Sequence, residues 1–204
     1  MMKRVLLGVL FFGTVWGASE AMLGGALYAA GVPRASVPLT IIGFCVLTAA
    51  RAYLPWPGSA TLIASCAMLY KFLNNPFFAC HLLGVLLLGV SYDLVFGLLG
   101  EKRRALSAAA ATYLGYALFG LLITYVFRYS YWAREGLPKI VEHVVVGGTM
   151  AAAGNALLVP LVARVVRTAR APAPGRPGRR VTLARAGASL LTAALWALCL
   201  TVPF

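Results

Sequence analysis

Residues 15–25 read VWGASEAMLGG, and the glutamate in the middle, Glu20, decides how the first thirty residues are taken. Lys3 and Arg4 precede an apolar run, and Gly17, Ala18 and Ser19 are the small residues that a signal peptidase cuts beside. On that reading Glu20 would sit at the cleavage point. Yet apolar character resumes at once in AMLGGALYAAGV, and a single helix fits the whole run from Val5 to Ala30. At 1.5 Å per residue such a helix crosses the roughly 30 Å hydrocarbon core of a bilayer. Glu20 is therefore read as lying inside a spanning helix. At 100° per residue, Gly13, Gly17, Glu20 and Gly24 fall within about 60° of one another. A stripe of small residues lets a second helix approach closely, so the carboxylate is expected to face protein and not lipid.

Composition extends this reading to the whole chain. Hydrophobic residues make up 61% and charged residues 11% of the 204, against about 25% charged in soluble domains. Apolar segments recur at 5–30, 37–54, 58–73, 77–99, 105–127, 140–165 and 185–203. The second and third are parted only by LPWPGS, a Pro/Gly turn. The chain is thus expected to be an all-α polytopic membrane protein. Residues 1–166 would form a six-helix transmembrane bundle, 167–181 a basic Pro/Arg-rich linker within RTARAPAPGRPGRR, and 182–204 a seventh, C-terminal transmembrane helix.

The formal charge of +13 is a topology signal. With the N-terminus inside, thirteen of the 18 Lys and Arg fall on the inner side, including Arg51, Lys102, Arg103, Arg104, Arg164 and Arg167, and five on the outer. Basic loops of this kind face the anionic lipid of the cytoplasmic leaflet, which puts the N-terminus on the cytoplasmic side. No basic and aromatic module of a nucleic-acid-binding type occurs. Cys45, Cys66, Cys80 and Cys199 are scattered singly, without a CxxC pair, and read as small packing residues.

Ionisable groups at membrane depth are costly and default to functional candidates. Glu20 lies past the middle of the first helix. Lys71 and Asn75 lie at the outer end of the third, His81 in the outer third of the fourth, and Glu142 and His143 in the first turn of the sixth. All are drawn to one outer layer, as a solute pocket with a few convergent polar groups requires. Trp16 is near enough to stack on a flat ligand, as are Tyr70, Tyr129, Tyr131 and Trp132, although the last three also suit an interfacial aromatic belt. Asp93 is the exception. It lies about 18 Å further in than His81, where pairing with Arg51 or Arg103 gives it a structural role.

The size, six N-in helices, the small-residue stripe in FFGTVWGASEAMLGG and the outer polar layer together resemble the substrate-binding S components of energy-coupling factor (ECF) transporters. The likeness covers about residues 5–165, with WGASEAMLGGALYAAGVPR and PGSATLIASCAMLYKFLN its most similar stretches. It implies a subunit that captures a vitamin-like micronutrient from outside and docks on a transmembrane coupling subunit, with ATPase subunits driving release inside. Gly13 and Gly17 match the family's docking motif. Glu20, Lys71, Asn75, His81 and Glu142 take the binding role, with His143 and Trp16 beside them. No cofactor or metal is expected, and no GxxxxGK[ST] occurs for ATP.

Two other classes compete. An ion-coupled transporter would use Glu20, His81, Glu142 and His143 as a relay, but Glu142 and His143 are adjacent and point about 100° apart on a helix. A non-catalytic scaffold or assembly subunit would use the small-residue faces SAAAATYLG and GGTMAAAGN with no ligand at all. An enzyme is not expected, since no HExxH, GxSxG or paired-carboxylate pattern is present.

Overall fold

In lipid a backbone must satisfy its own hydrogen bonds, and this chain does so with helices. The computed structural model describes residues 2–73 and 79–170 and the single position 194. Among these there is no strand, and the helices are α1 (Met2–Ala29), α2 (Ser36–Arg51), α3 (Ser59–Met68), α4 (Ala79–Leu99), α5 (Arg104–Leu121), α6 (Ser130–Glu142) and α7 (Thr149–Arg170). A 3-10 turn, Leu69–Leu73, prolongs α3. Wider π-helical turns prolong α5 over Leu122–Val126 and join α6 to α7 over His143–Gly148. The protein is all-α and membrane-embedded. Four stretches are long and apolar enough to cross a membrane: Val5–Ala29, Cys80–Leu99, Arg104–Val126 and Ser130–Arg170. The helices Ser36–Arg51 and Ser59–Phe72 are apolar but shorter.

Two boundaries differ from the sequence reading. Residues 128–139 were expected outside the sixth helix, but Ser130 to Glu142 is helical, broken by a kink at Gly136 (φ 60°, ψ −142°). The polar SYWARE segment is helical without being apolar, so hydropathy passes over it. Pro138 follows the kink, where a missing N–H is tolerated at a helix start. At the other end α7 runs to Arg170, into the expected linker. The rest of that linker, and the seventh helix expected at 182–204, lie outside the described residues apart from position 194.

Neighbouring helices pack in the order α1, α3, α4, α5, α7, α2 and back to α1. Their interior holds Trp16, Phe44, Leu47, Ile63, Tyr92 and Val159, all buried. Close approach depends on small residues. A Cβ on Gly13 would lie 2.6 Å from the Cβ of Cys66, and one on Gly43 would lie 2.6 Å from the Trp16 indole. Hydroxyl pairs add polar rungs between helices: Thr14 with Tyr70 at 3.0 Å, Thr48 with Tyr92 at 3.2 Å and Thr40 with Tyr116 at 3.3 Å. Asn155 donates to Thr112 Oγ1 at 2.8 Å. Such bonds contribute about 0.6 kcal/mol each on average in membrane interiors.

Asp93 takes the structural role expected of it, with one addition. Its carboxylate lies 3.6 Å from Arg51 Nη1. It also accepts hydrogen bonds from the Thr61 backbone N–H at 2.7 Å and the Thr61 hydroxyl at 2.8 Å. The α4 side chain thus caps α3, whose own N-cap, Gly58 at φ 88°, has no side chain to do so. Arg51 continues to Glu101, which Arg104 also holds at 2.6 Å. Partial burial opposes ionisation of Glu101, but the bonds from Arg104 and Arg51 outweigh it and hold the carboxyl below its usual range. Asp93→Ala is expected to lower stability by about 1–2 kcal/mol, read as a lower melting temperature in detergent. An unchanged melting temperature would exclude the capping role.

Candidate ligand pocket

The C-terminal ends of α1 and α5 and the 3-10 turn after α3 meet the N-terminal ends of α2 and α4 and the π-helical turn before α7, at the end of the bundle opposite the N-terminus. There they enclose a cavity of about 100 Å³. Pockets for drug-sized ligands run to about 300–1,000 Å³, so in this conformation there is room for a solute of only a few heavy atoms.

Its ionic element is one buried pair. Lys71 Nζ lies 2.7 Å from Glu20 Oε2, with the two side chains 4% and 5% exposed, so water does not compete for either charge. The ammonium also donates to the Glu20 main-chain oxygen at 3.1 Å, and Trp16 Nε1 donates to Glu20 Oε1 at 3.3 Å. The geometry follows from local structure. One helical turn separates Trp16 from Glu20, and the 3-10 turn after α3 swings Lys71 inward. Gly24 lies against the pair: a Cβ there would sit 3.3 Å from Leu39 Cδ1 and 3.4 Å from Nζ.

Opposite the pair stand two imidazoles, each laid on a tyrosine. His81 stacks on Tyr28 with centroids 5.1 Å apart, and His143 stacks on Tyr116 at 4.6 Å. His143 starts the π-helical turn, and Phe119 and Trp132 also pack against its ring. Ser36, Thr40, Cys80 and Gly84 complete the polar and small lining, with Leu39, Val85 and Leu88 as apolar wall.

Of the residues singled out in the sequence, Glu20, Lys71, His81 and His143 are brought together here. Trp16 is not a ligand platform: it is fully buried against Gly43 and touches the site only through Glu20. Glu142 turns away from the cavity. It pairs at the surface with Lys139 at 2.8 Å and Arg34 at 3.5 Å, because adjacent helical residues diverge. Asn75 lies outside the described residues. Gly13 and Gly17 do not form an open docking face; α3 of the same chain covers them through Cys66, Ala67 and Tyr70. Sequence reasoning missed Tyr28, Thr40, Tyr116 and Phe119, which carry no charge to mark them. The available signal was their place at the same ends of their helices as the ionisable set.

Among the described residues no cluster of three or more His, Cys, Asp and Glu side chains is placed to hold a metal. Cys80 is a free thiol on the cavity wall. No protein-family model, curated protein or solved structure matches the chain.

Proposed function

We propose that the chain is the solute-binding subunit of a membrane uptake system, built as a six-helix transmembrane bundle with a cytoplasmic N-terminus and a seventh helix after the linker. In this reading it sits in a prokaryotic inner membrane, with its pocket open to the outside. It takes in a small micronutrient or vitamin-like solute and passes it inward with a transmembrane coupling subunit and ATPase subunits, as the likeness to ECF S components implies. The observation that carries the reading is the convergence of Glu20, Lys71, His81 and His143 on one cavity. Four different elements, α1, the 3-10 turn after α3, α4 and the π-helical turn before α7, deliver these groups to one end of the bundle, and packing alone does not require that. The small-residue faces that a scaffold would offer to partners are largely used within the chain. Ala108, Ala111, Ala151 and Ala152 are buried, Gly115 packs on Leu88 and Gly154 on Ile41.

Gly84→Leu tests the pocket without attacking the fold. A Cβ at Gly84 meets only Phe119, at 3.8 Å, so the new side chain enters the cavity without a backbone clash. Fractions of a metabolite extract are added to purified protein and melting is followed. One fraction is expected to raise the melting temperature of the wild type by several degrees and leave Gly84→Leu unmoved. Glu142→Gln, outside the cavity, is expected to respond as the wild type does. Equal responses in wild type and Gly84→Leu would exclude the cavity as the site. Purification from native membranes tests the transport half, which requires an ATP-hydrolysing subunit to be retained.

A further inference from the structure

The charge balance of the cavity limits what can enter it, an inference that rests on the ligand-pocket reading above. Glu20 and Lys71 are its only carboxylate and ammonium among the described lining residues, and they cancel each other at 2.7 Å. Both are already engaged: Oε1 accepts from Trp16, and Nζ gives a second hydrogen bond to the Glu20 main-chain oxygen. Arg34, Lys139 and Glu142 form a surface cluster with a net charge of +1, and none of the three lines the cavity. The rest of the lining is imidazole, phenol, hydroxyl, thiol and hydrocarbon, with no further carboxylate, ammonium or guanidinium among the described residues.

An ion that leaves water for such a site finds no uncompensated countercharge. An anion could accept the third N–H of Lys71, but Glu20 already neutralises that charge, and displacing Glu20 would leave a buried carboxylate without its partner. A cation has the same difficulty in reverse. Burying an uncompensated ion costs several kcal/mol, whereas a neutral polar group exchanges hydrogen bonds with water for hydrogen bonds with the wall. We infer that the pocket selects small solutes with no net charge, and that the Glu20–Lys71 pair is the residue pair that sets this selectivity.

Acetamide, acetate and acetamidinium have nearly one shape and three charges. An equimolar mixture at neutral pH is presented to the detergent-solubilised protein, and saturation transfer to each methyl group is measured by NMR. Acetamide is expected to exceed both ions by about tenfold or more, the ratio that corresponds to about 1.4 kcal/mol. Glu20→Gln leaves an unmatched ammonium and is expected to turn the preference to acetate. Lys71→Met is expected to turn it to acetamidinium. The double variant Glu20→Gln/Lys71→Met regains charge balance and should return to acetamide, which keeps the test valid if a single variant does not fold. Transfer to either ion equal to that of acetamide on the wild type would overturn the inference and leave the pocket standing. Transfer that persists in Gly84→Leu would place the binding elsewhere and also overturn it. No transfer to any probe on folded wild type would overturn the ligand-pocket reading itself.

Discussion

Glu20→Gln alone, or Lys71→Met alone, is expected to lower stability by about 3–5 kcal/mol, because each leaves a buried charge without its partner. The double substitution is expected to lose much less, since an apolar and an amide side chain can fill similar space without a charge to compensate. The contrast matters more than either single value. Both groups are almost inaccessible, so screening by solvent does not soften the loss, as it would for the exposed pair of Lys139 and Glu142. A thermal melt of the four proteins in one detergent reads the coupling directly. Additive losses, with the double variant the least stable of all, would mean that the two side chains act independently and that the 2.7 Å contact is not what holds them.

Gly17→Val is expected to be the most damaging single change in the small-residue stripe of α1. The new side chain would run into the Tyr70 ring and lie 2.9 Å from the Ala67 carbonyl oxygen, and a backbone atom cannot yield as a side-chain tip can. Overpacking typically costs about 1–3 kcal/mol, and the displaced Tyr70 also loses its bond to Thr14. Gly97→Ala supplies the control. Nothing lies within 4 Å of a Cβ there, so the better helix former should leave stability unchanged or raise it by up to about 1 kcal/mol. Should Gly17→Val melt as the wild type does and lose only a bound partner, α1 would be a docking helix after all, and the contact with α3 would be secondary.

Much of the fold was legible because lipid leaves few choices. Apolar runs of sufficient length must be helices, and the Pro/Gly turn LPWPGS parts α2 from α3 as read. What escaped was the helix that is not apolar, Ser130–Glu135, together with the fact that Gly136 breaks it. Depth alone placed Asp93 near Arg51 or Arg103, and the structure pairs it with Arg51. Its capping of α3 was beyond reach, since a cap supplied by another helix leaves no local spacing to detect.

The site was legible in part for a similar reason. Charged residues in apolar runs announce themselves, and Glu20, Lys71, His81 and His143 meet at one cavity. Depth does not say which way a side chain points, so Glu142 was grouped with residues it does not face, and Trp16 was given to a ligand when Gly43 holds it. Nor could helical spacing show that the two ionic groups answer each other. That pairing leaves Glu20 and Lys71 bound to each other and not held out as free hooks, and each histidine lies on a tyrosine.

The most direct measurement is native mass spectrometry of the wild-type protein, purified in mild detergent, beside Gly84→Leu prepared in the same way. A solute chamber predicts a small additional mass on the wild type, released on activation, and none on the cavity-filling variant. A wild type that stays bare even after exposure to the metabolite extract, or one mass carried equally by both proteins, would contradict it.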